Sequence, residues 1–306
     1  MIECKKPKGF FLASTGSILF GVSGVLAQIL FKRTVVSPGW LVNLRMTCSG
    51  VFLLFFLSLT GNDILSIWKR KSERLQLILF GIMGVLFAQS SFLKAVYFGN
   101  AAVAPILQSM GPMFVVIAVA IICRSLPNRL DTVSNLICLF GIFLLVTNGD
   151  IQKLYVSPKC LFWGVCSAIG VASYTLLPRK LLHNYSPLTV VGWGLTIGGI
   201  TSNFLTPIWH FPNNLNFLDV LIMCIIVFAG TLMAYAMYIS SLNYLKPSLA
   251  CILGVLEPIV ATLLTVTFLG ERFHTIQLIG GGVTIAAIIL NNLLTDKNYK
   301  GLSKKN

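Results

Sequence analysis

The chain has 306 residues, 56% of them hydrophobic and only 10% charged, with a mean hydropathy of +0.85 and a formal net charge of +14. A soluble domain carries about 25% charge and has no core large enough to hide this much apolar surface, so a water-soluble fold is excluded and lipid is the expected solvent. The basic balance does not point to nucleic acid, because the cations are spread over short segments and form no long basic block.

Apolar stretches fall at residues 10–31, 38–60, 75–97, 100–123, 131–148, 159–177, 188–209, 217–243, 247–269 and 273–294. Most approach the ~20 residues that cross ~30 Å of hydrocarbon as a helix. Helices satisfy their own backbone hydrogen bonds in lipid, so ten helical spans are expected. The shortest is 131–148, and the closest neighbours meet near Gly99 and Lys246. The first stretch follows Lys5, Lys6 and Lys8 and imitates a secretory leader. It is longer than a 7–15-residue leader core, ends at Lys32-Arg33 without a small-residue cleavage site, and is read as a retained helix.

With the N-terminus inside, sixteen basic residues fall on the cytoplasmic side: Lys5, Lys6, Lys8, Lys69, Arg70, Lys71, Arg74, Arg124, Arg129, Arg179, Lys180, Lys246, Lys297, Lys300, Lys304 and Lys305. Six fall outside: Lys32, Arg33, Lys94, Lys153, Lys159 and Arg272. That bias places both termini in the cytoplasm and gives the charge an anchoring role against anionic headgroups.

Residues 95–144 overlay 241–290 without a gap at a constant offset of 146. Ala104-Pro-Ile106-Leu107-x4-Pro112 thereby falls on Ala250-Cys-Ile252-Leu253-x4-Pro258. Five spans per copy would turn the second copy upside down. The expected fold is an all-α integral membrane protein of ten transmembrane helices, arranged as two inverted five-helix repeats around a central cavity. The repeats occupy 1–150 and 151–306, an arrangement that recurs in secondary transporters.

Nothing in the sequence suggests an enzyme or a cofactor. Cys4, Cys48, Cys123, Cys138, Cys160, Cys166, Cys224 and Cys251 form no C-x-x-C pair and lie mostly in apolar stretches, as small core residues do. His183, His210 and His274 fall in separate loops, so no metal site can be assembled from spacing. There is no phosphate-binding loop, G-x-S-x-G elbow or H-E-x-x-H motif.

The informative residues are the polar ones in lipid. Glu257 sits near the midplane of the ninth span, where a carboxylate is costly and serves to bind a cation, relay a proton or pair with a base; a hydrogen-bonded packing residue is the plainer alternative. Pro258 follows it and should interrupt the helix. Pro112 is its counterpart in the first copy, but there Gly111 stands in place of the acid. Arg45 lies inside the second span, a candidate for a substrate carboxylate, and Lys94 lies near the outer end of the third, where it could instead snorkel to the interface. Gln28, Gln89 and Gln108 should point into the bundle, and Tyr174, Tyr235 and Tyr238 are candidate cavity-lining residues. Trp163 and Trp193 lie near span ends as interface anchors do. Glycines such as Gly21/Gly24, Gly81/Gly84 and Gly280-Gly281-Gly282 fit close helix packing.

Three segments carry a family resemblance. They are Phe92-Leu-Lys94-Ala-Val-Tyr97-Phe-Gly-Asn-Ala-Ala-Val-Ala104-Pro-Ile-Leu-Gln108-Ser-Met-Gly-Pro112, Tyr174-Thr-Leu-Leu-Pro178-Arg-Lys, and Leu256-Glu257-Pro258 with the downstream Phe268-Leu-Gly270-Glu271-Arg272-Phe. Together they resemble the EamA family of the drug/metabolite transporter superfamily over nearly the whole chain. At the place of the last motif the first copy has Ile122-Cys-Arg124-Ser125-Leu, where the pattern has lapsed. The resemblance implies a bacterial inner-membrane carrier, commonly an exporter of amino acids or related metabolites. The expected partners are a small-molecule metabolite, the lipid bilayer and, for coupling, protons; oligomeric state is left open. The alternatives are a membrane-embedded binding or sensing protein that moves nothing, and a facilitative uniporter.

Overall fold

In the computed structural model, residues 6–124, 129–150, 153–245 and 247–302 are described. Lys5, Lys246, Lys304, Lys305 and Cys4 lie outside them, as do the side chains of Lys6, Lys297, Lys300, Cys123 and Cys251. Every regular element among the described residues is helical. Eight helices are long and apolar enough to cross a membrane: Pro7–Arg33, Pro38–Leu59, Lys71–Phe98, Val103–Ile122, Pro158–Asn184, Pro187–Leu205, Phe217–Ser241 and Ile252–Leu269. Two shorter apolar helices, Thr132–Thr147 and Thr275–Leu290, complete the ten as the fifth and tenth spans.

Local chemistry sets the boundaries. Ser37 caps the second span, its hydroxyl accepting the Trp40 N–H at 3.2 Å, with Pro38 in the first turn where a missing N–H costs nothing. Asn216 and Asp219 form a reciprocal capping box on the eighth. The third span begins at Lys71, four residues ahead of its apolar stretch, because Glu73 turns inward there. The sixth continues past Pro178 into a short helix, Arg179–Asn184, so His183 is helical and not in a loop.

The halves pack on each other. The fifth span lies along the tenth, the second along the seventh, the third along the sixth and the first along the eighth. These are the pairings that a two-fold relating spans one to five with spans six to ten would generate. The offset of 146 reappears in the backbone. Arg124 (φ 48°) and Gly270 (φ 64°) are equivalent positions, and both adopt the left-handed conformation that ends the fourth and ninth spans.

A second echo is acidic. Glu73 and Asp219 are 146 residues apart, sit in the first turns of the third and eighth spans, and are each 2% exposed. Glu73 accepts hydrogen bonds from Tyr185 Oη at 2.6 Å and Asn184 Nδ2 at 3.2 Å, in the connection between the sixth and seventh spans. Asp219 accepts from Arg33 Nε at 3.1 Å, at the end of the first span where the connection to the second begins. Each acid thus grips the other half's connection. Replacing Glu73 by Leu is expected to lower the thermal midpoint of the purified protein. Replacing its exposed partner Arg70 by Ala should leave it unchanged, because exposed ion pairs contribute little. Equal midpoints for the two variants would count against the buried clasp.

Candidate functional site at the bundle centre

The fourth span is two helices, Val103–Gln108 and Gly111–Cys123, and the ninth is Pro247–Gly254 and Leu256–Leu269. Each interruption lies just ahead of its proline. The carbonyls that Pro112 and Pro258 cannot serve belong to the residues four positions back, Gln108 and Gly254, where the first segments end. Glu257 therefore sits in the first turn of a half-helix, at the end whose free N–H groups favour a carboxylate. Gly21 of the first span lets that turn approach, since a Cβ there would lie 2.7 Å from the Glu257 carbonyl oxygen.

Arg45 reaches the centre from the second span and is 3% exposed. Its Nε donates to Thr231 Oγ1 at 3.0 Å, and the Thr231 hydroxyl donates on to the Ile226 carbonyl at 2.9 Å. Thr231 lies in a π-helical segment, Phe228–Met233, whose wider turn suits a bond to a carbonyl five residues back; Phe80–Leu86 of the third span winds the same way. Arg45 Nη1 is buried and has no hydrogen-bond partner. The guanidinium feels the charge of Glu257. The two form no ion pair within 4 Å, and the half-buried Glu257 carboxyl makes no hydrogen bond to the described residues.

Gln89 and Tyr235, themselves 146 residues apart, meet on the pseudo-two-fold: the Gln89 amide donates to Tyr235 Oη at 2.5 Å. Phe20 packs edge-on against Tyr235, with ring centroids 4.9 Å apart, and against Tyr238 at 6.4 Å. The Tyr238 hydroxyl lies 3.5 Å from where a Cβ of Gly254 would stand, so it reaches the interruption of the ninth span. Arg45, Gln89, Tyr235, Tyr238, Glu257 and Pro258 are thus one neighbourhood.

The remaining expected residues lie elsewhere. Gln108 donates to the buried Ser167 hydroxyl at 2.8 Å, tying the interrupted fourth span to the sixth, and Pro112 is in the next turn. Tyr174 packs beside Gly84 of the third span. Gln28 is 3% exposed and its amide is occupied on both sides: the oxygen accepts the Ala101 N–H at 2.7 Å and the nitrogen donates to Glu271 at 3.3 Å. Lys32 joins Glu271 at 2.8 Å. This network ties the end of the first span to the loops before the fourth and after the ninth. Lys94 Nζ rests 4.0 Å above the ring of Trp163, apart from the central group. Among the described residues no cluster of three His, Cys, Asp or Glu could hold a metal ion. Phe20, Thr231 and the latch formed by Lys32 and Glu271 escaped sequence reasoning, although Glu271 stands inside the Phe-Leu-Gly-Glu-Arg motif.

The sequence profile of the EamA-like transporter family matches residues 7–147 and again 158–293, one match per half. The chain belongs to the EamA-like transporter family. That family lies within the drug/metabolite transporter superfamily. Among similar EamA-type proteins, the "Uncharacterized inner membrane transporter YicL" of Salmonella typhimurium is 32% identical over 291 residues, covering 94% of this chain and 95% of the relative. Protein PecM of Dickeya dadantii is 27% identical over 214 residues, covering 68% and 69%. A protein of known crystal structure superposes with a TM-score of 0.66 over 95% of this chain and 99% of that one. At 16% identity that likeness is one of fold. The EamA membership makes this a multi-pass membrane protein from a family of transporters.

Proposed function

We propose that the chain is a secondary active transporter of the bacterial inner membrane, with both termini cytoplasmic, that works by alternating access and exports amino acids or related small zwitterions. The observation that carries this reading is the pair Arg45 and Glu257: opposite charges in one deep neighbourhood, joined by no ion pair, with Arg45 Nη1 unpartnered. Buried donors are normally satisfied, so a vacant one next to a vacant carboxyl suits a ligand bearing both complementary charges. A substrate carboxylate would accept from Arg45 Nη1 and an ammonium would meet Glu257, with Phe20, Tyr235 and Tyr238 against the side chain. The interruption of the ninth span beside Glu257, with its counterpart in the fourth, supplies hinges for such a motion. Glu257 could carry a coupling proton in the substrate's absence.

The test is counterflow in proteoliposomes with a radiolabelled amino-acid mixture. Glu257→Gln should lower flux about 10- to 100-fold, the worth of one charge-assisted contact. Unchanged flux together with an unchanged pH profile would remove Glu257 from the mechanism. Ligand binding without counterflow would favour a sensor, and wild-type flux that ignores an imposed proton gradient would favour a uniporter.

A further inference from the structure

The network around Glu271 lies on the membrane face opposite the chain termini. It joins three elements: the end of the first span, the turn into the fourth and the turn out of the ninth. Glu271 accepts from Gln28 Nε2 at 3.3 Å and from Lys32 Nζ at 2.8 Å, while Gln28 Oε1 holds the Ala101 N–H at 2.7 Å. Gln28 is 3% exposed, so the link between the three elements is a buried amide, with the Lys32 ion pair at its rim.

The repeat does not reproduce this network on the other face. The fourth and ninth spans are related by the offset of 146, and the first and sixth by 151, since Arg33 and Asn184 bond the equivalent acids Asp219 and Glu73. In these registers Arg179, His183, Pro247 and Ser125 stand in the places of Gln28, Lys32, Ala101 and Glu271. The acid is missing, the amide is replaced by a cation, and the proline has no N–H to donate. Burial is lopsided in the same sense. Val103, Ile106 and Leu107, in the first segment of the fourth span, are buried, whereas their equivalents Leu249, Ile252 and Leu253, in the first segment of the ninth, are partly exposed. Val103–Gln108 packs against the third and sixth spans and also across to the second segment of the ninth, which begins beside Glu257. The bundle is thus closed on the face that carries the network and more open on the face of the termini.

We propose that Gln28, Lys32 and Glu271 latch a gate on the face opposite the termini, and that this unmatched latch makes the state open towards the termini the resting one. The gate rests on the alternating-access reading above. Exact inverted repeats would give two mirror states of equal free energy, and a set of charge-assisted bonds present in only one of them tilts the equilibrium towards it. Opening the latched face must part the first span from the fourth and ninth and so break these bonds. With the termini in the cytoplasm, the resting protein presents its central site to the compartment from which an exporter loads.

Hydrogen–deuterium exchange of the full chain in lipid nanodiscs, read by mass spectrometry without substrate, tests the gate. Glu271→Gln should make residues 103–108 exchange about tenfold faster and residues 249–254 more slowly, because population moves from one state to the other. Lys32→Gln leaves the Gln28 contacts with Ala101 and Glu271 in place and should shift both segments in the same directions by a smaller factor; it decides the matter if Glu271→Gln does not fold. Faster exchange in both segments would mean that the network only braces the fold, and unchanged exchange in both would mean that it holds nothing shut; either result overturns the proposal. The reciprocal shift in a protein that shows no counterflow would establish the latch and remove the transport reading, so the two can fail separately.

Discussion

Arg45→Met protein should lose amino-acid counterflow by about 100-fold and also unfold at a lower temperature, and the two losses should separate in a second variant. Arg45 is buried, holds Thr231 through Nε, and is the cation whose field reaches Glu257. Removing it takes the positive charge away from the Glu257 neighbourhood and leaves the Thr231 hydroxyl without its donor, both of which destabilise. Adding Glu257→Gln to Arg45→Met should restore much of the thermal midpoint, because the Glu257 charge is gone as well. Flux should stay lost, because neither charge remains to meet a zwitterion. Arg45→Lys should fall between, since an ammonium cannot both bond Thr231 and present a second fixed donor. Thermal unfolding in detergent and counterflow on the same preparations would check this. Restoration of flux in the double variant would mean that the two residues serve packing alone.

Gly280→Leu should destabilise the protein by about 3 kcal/mol or more, whereas Gly282→Ala, two residues along, should be nearly neutral. The fifth and tenth spans cross where Gly141 and Gly280 face each other. A Cβ on Gly280 would lie 2.5 Å from the Gly141 carbonyl oxygen and 2.5 Å from the Leu145 nitrogen, and one on Gly141 would lie 2.7 Å from the Gly280 carbonyl oxygen. These are backbone atoms that no rotamer change can move, so the helices must part. Gly282 meets nothing within 4 Å and can take a methyl group into open space. Midpoints in a denaturant or temperature series would decide it; equal effects at 280 and 282 would show that the crossing is looser than its geometry implies.

The ten spans were legible because lipid imposes length and hydropathy so strictly. The repeat was legible from four matches around Pro112 and Pro258, and the same register recurs in the left-handed ends at Arg124 and Gly270 and in the contact between Gln89 and Tyr235. What a single sequence withheld was the facing of each helix. Lys94 and Arg45 look alike as basic residues in outer halves of spans, yet one lies on the flank of its helix turned to Trp163 and the other at the bundle centre. Thr231 has no outward sign of importance; its role comes from π-helical winding that no periodicity in the sequence announces. The spacing of 146 between Glu73 and Asp219 is open to view in the sequence, whereas their burial is visible only in the fold.

Those two acids make the protein, in effect, a dimer written on one chain. Each buried carboxylate takes part of its hydrogen bonding from the opposite half: Tyr185 and Asn184 come to Glu73 from the second copy beside its own Arg70, and Arg33 comes to Asp219 from the first beside its own Asn216 N–H. A half standing alone would lose Tyr185 and Asn184 from Glu73, or Arg33 from Asp219, so full satisfaction of the two acids waits on assembly of the two halves. The linker between the fifth and sixth spans then raises the local concentration of one half around the other, while the reciprocal clasps choose the partner.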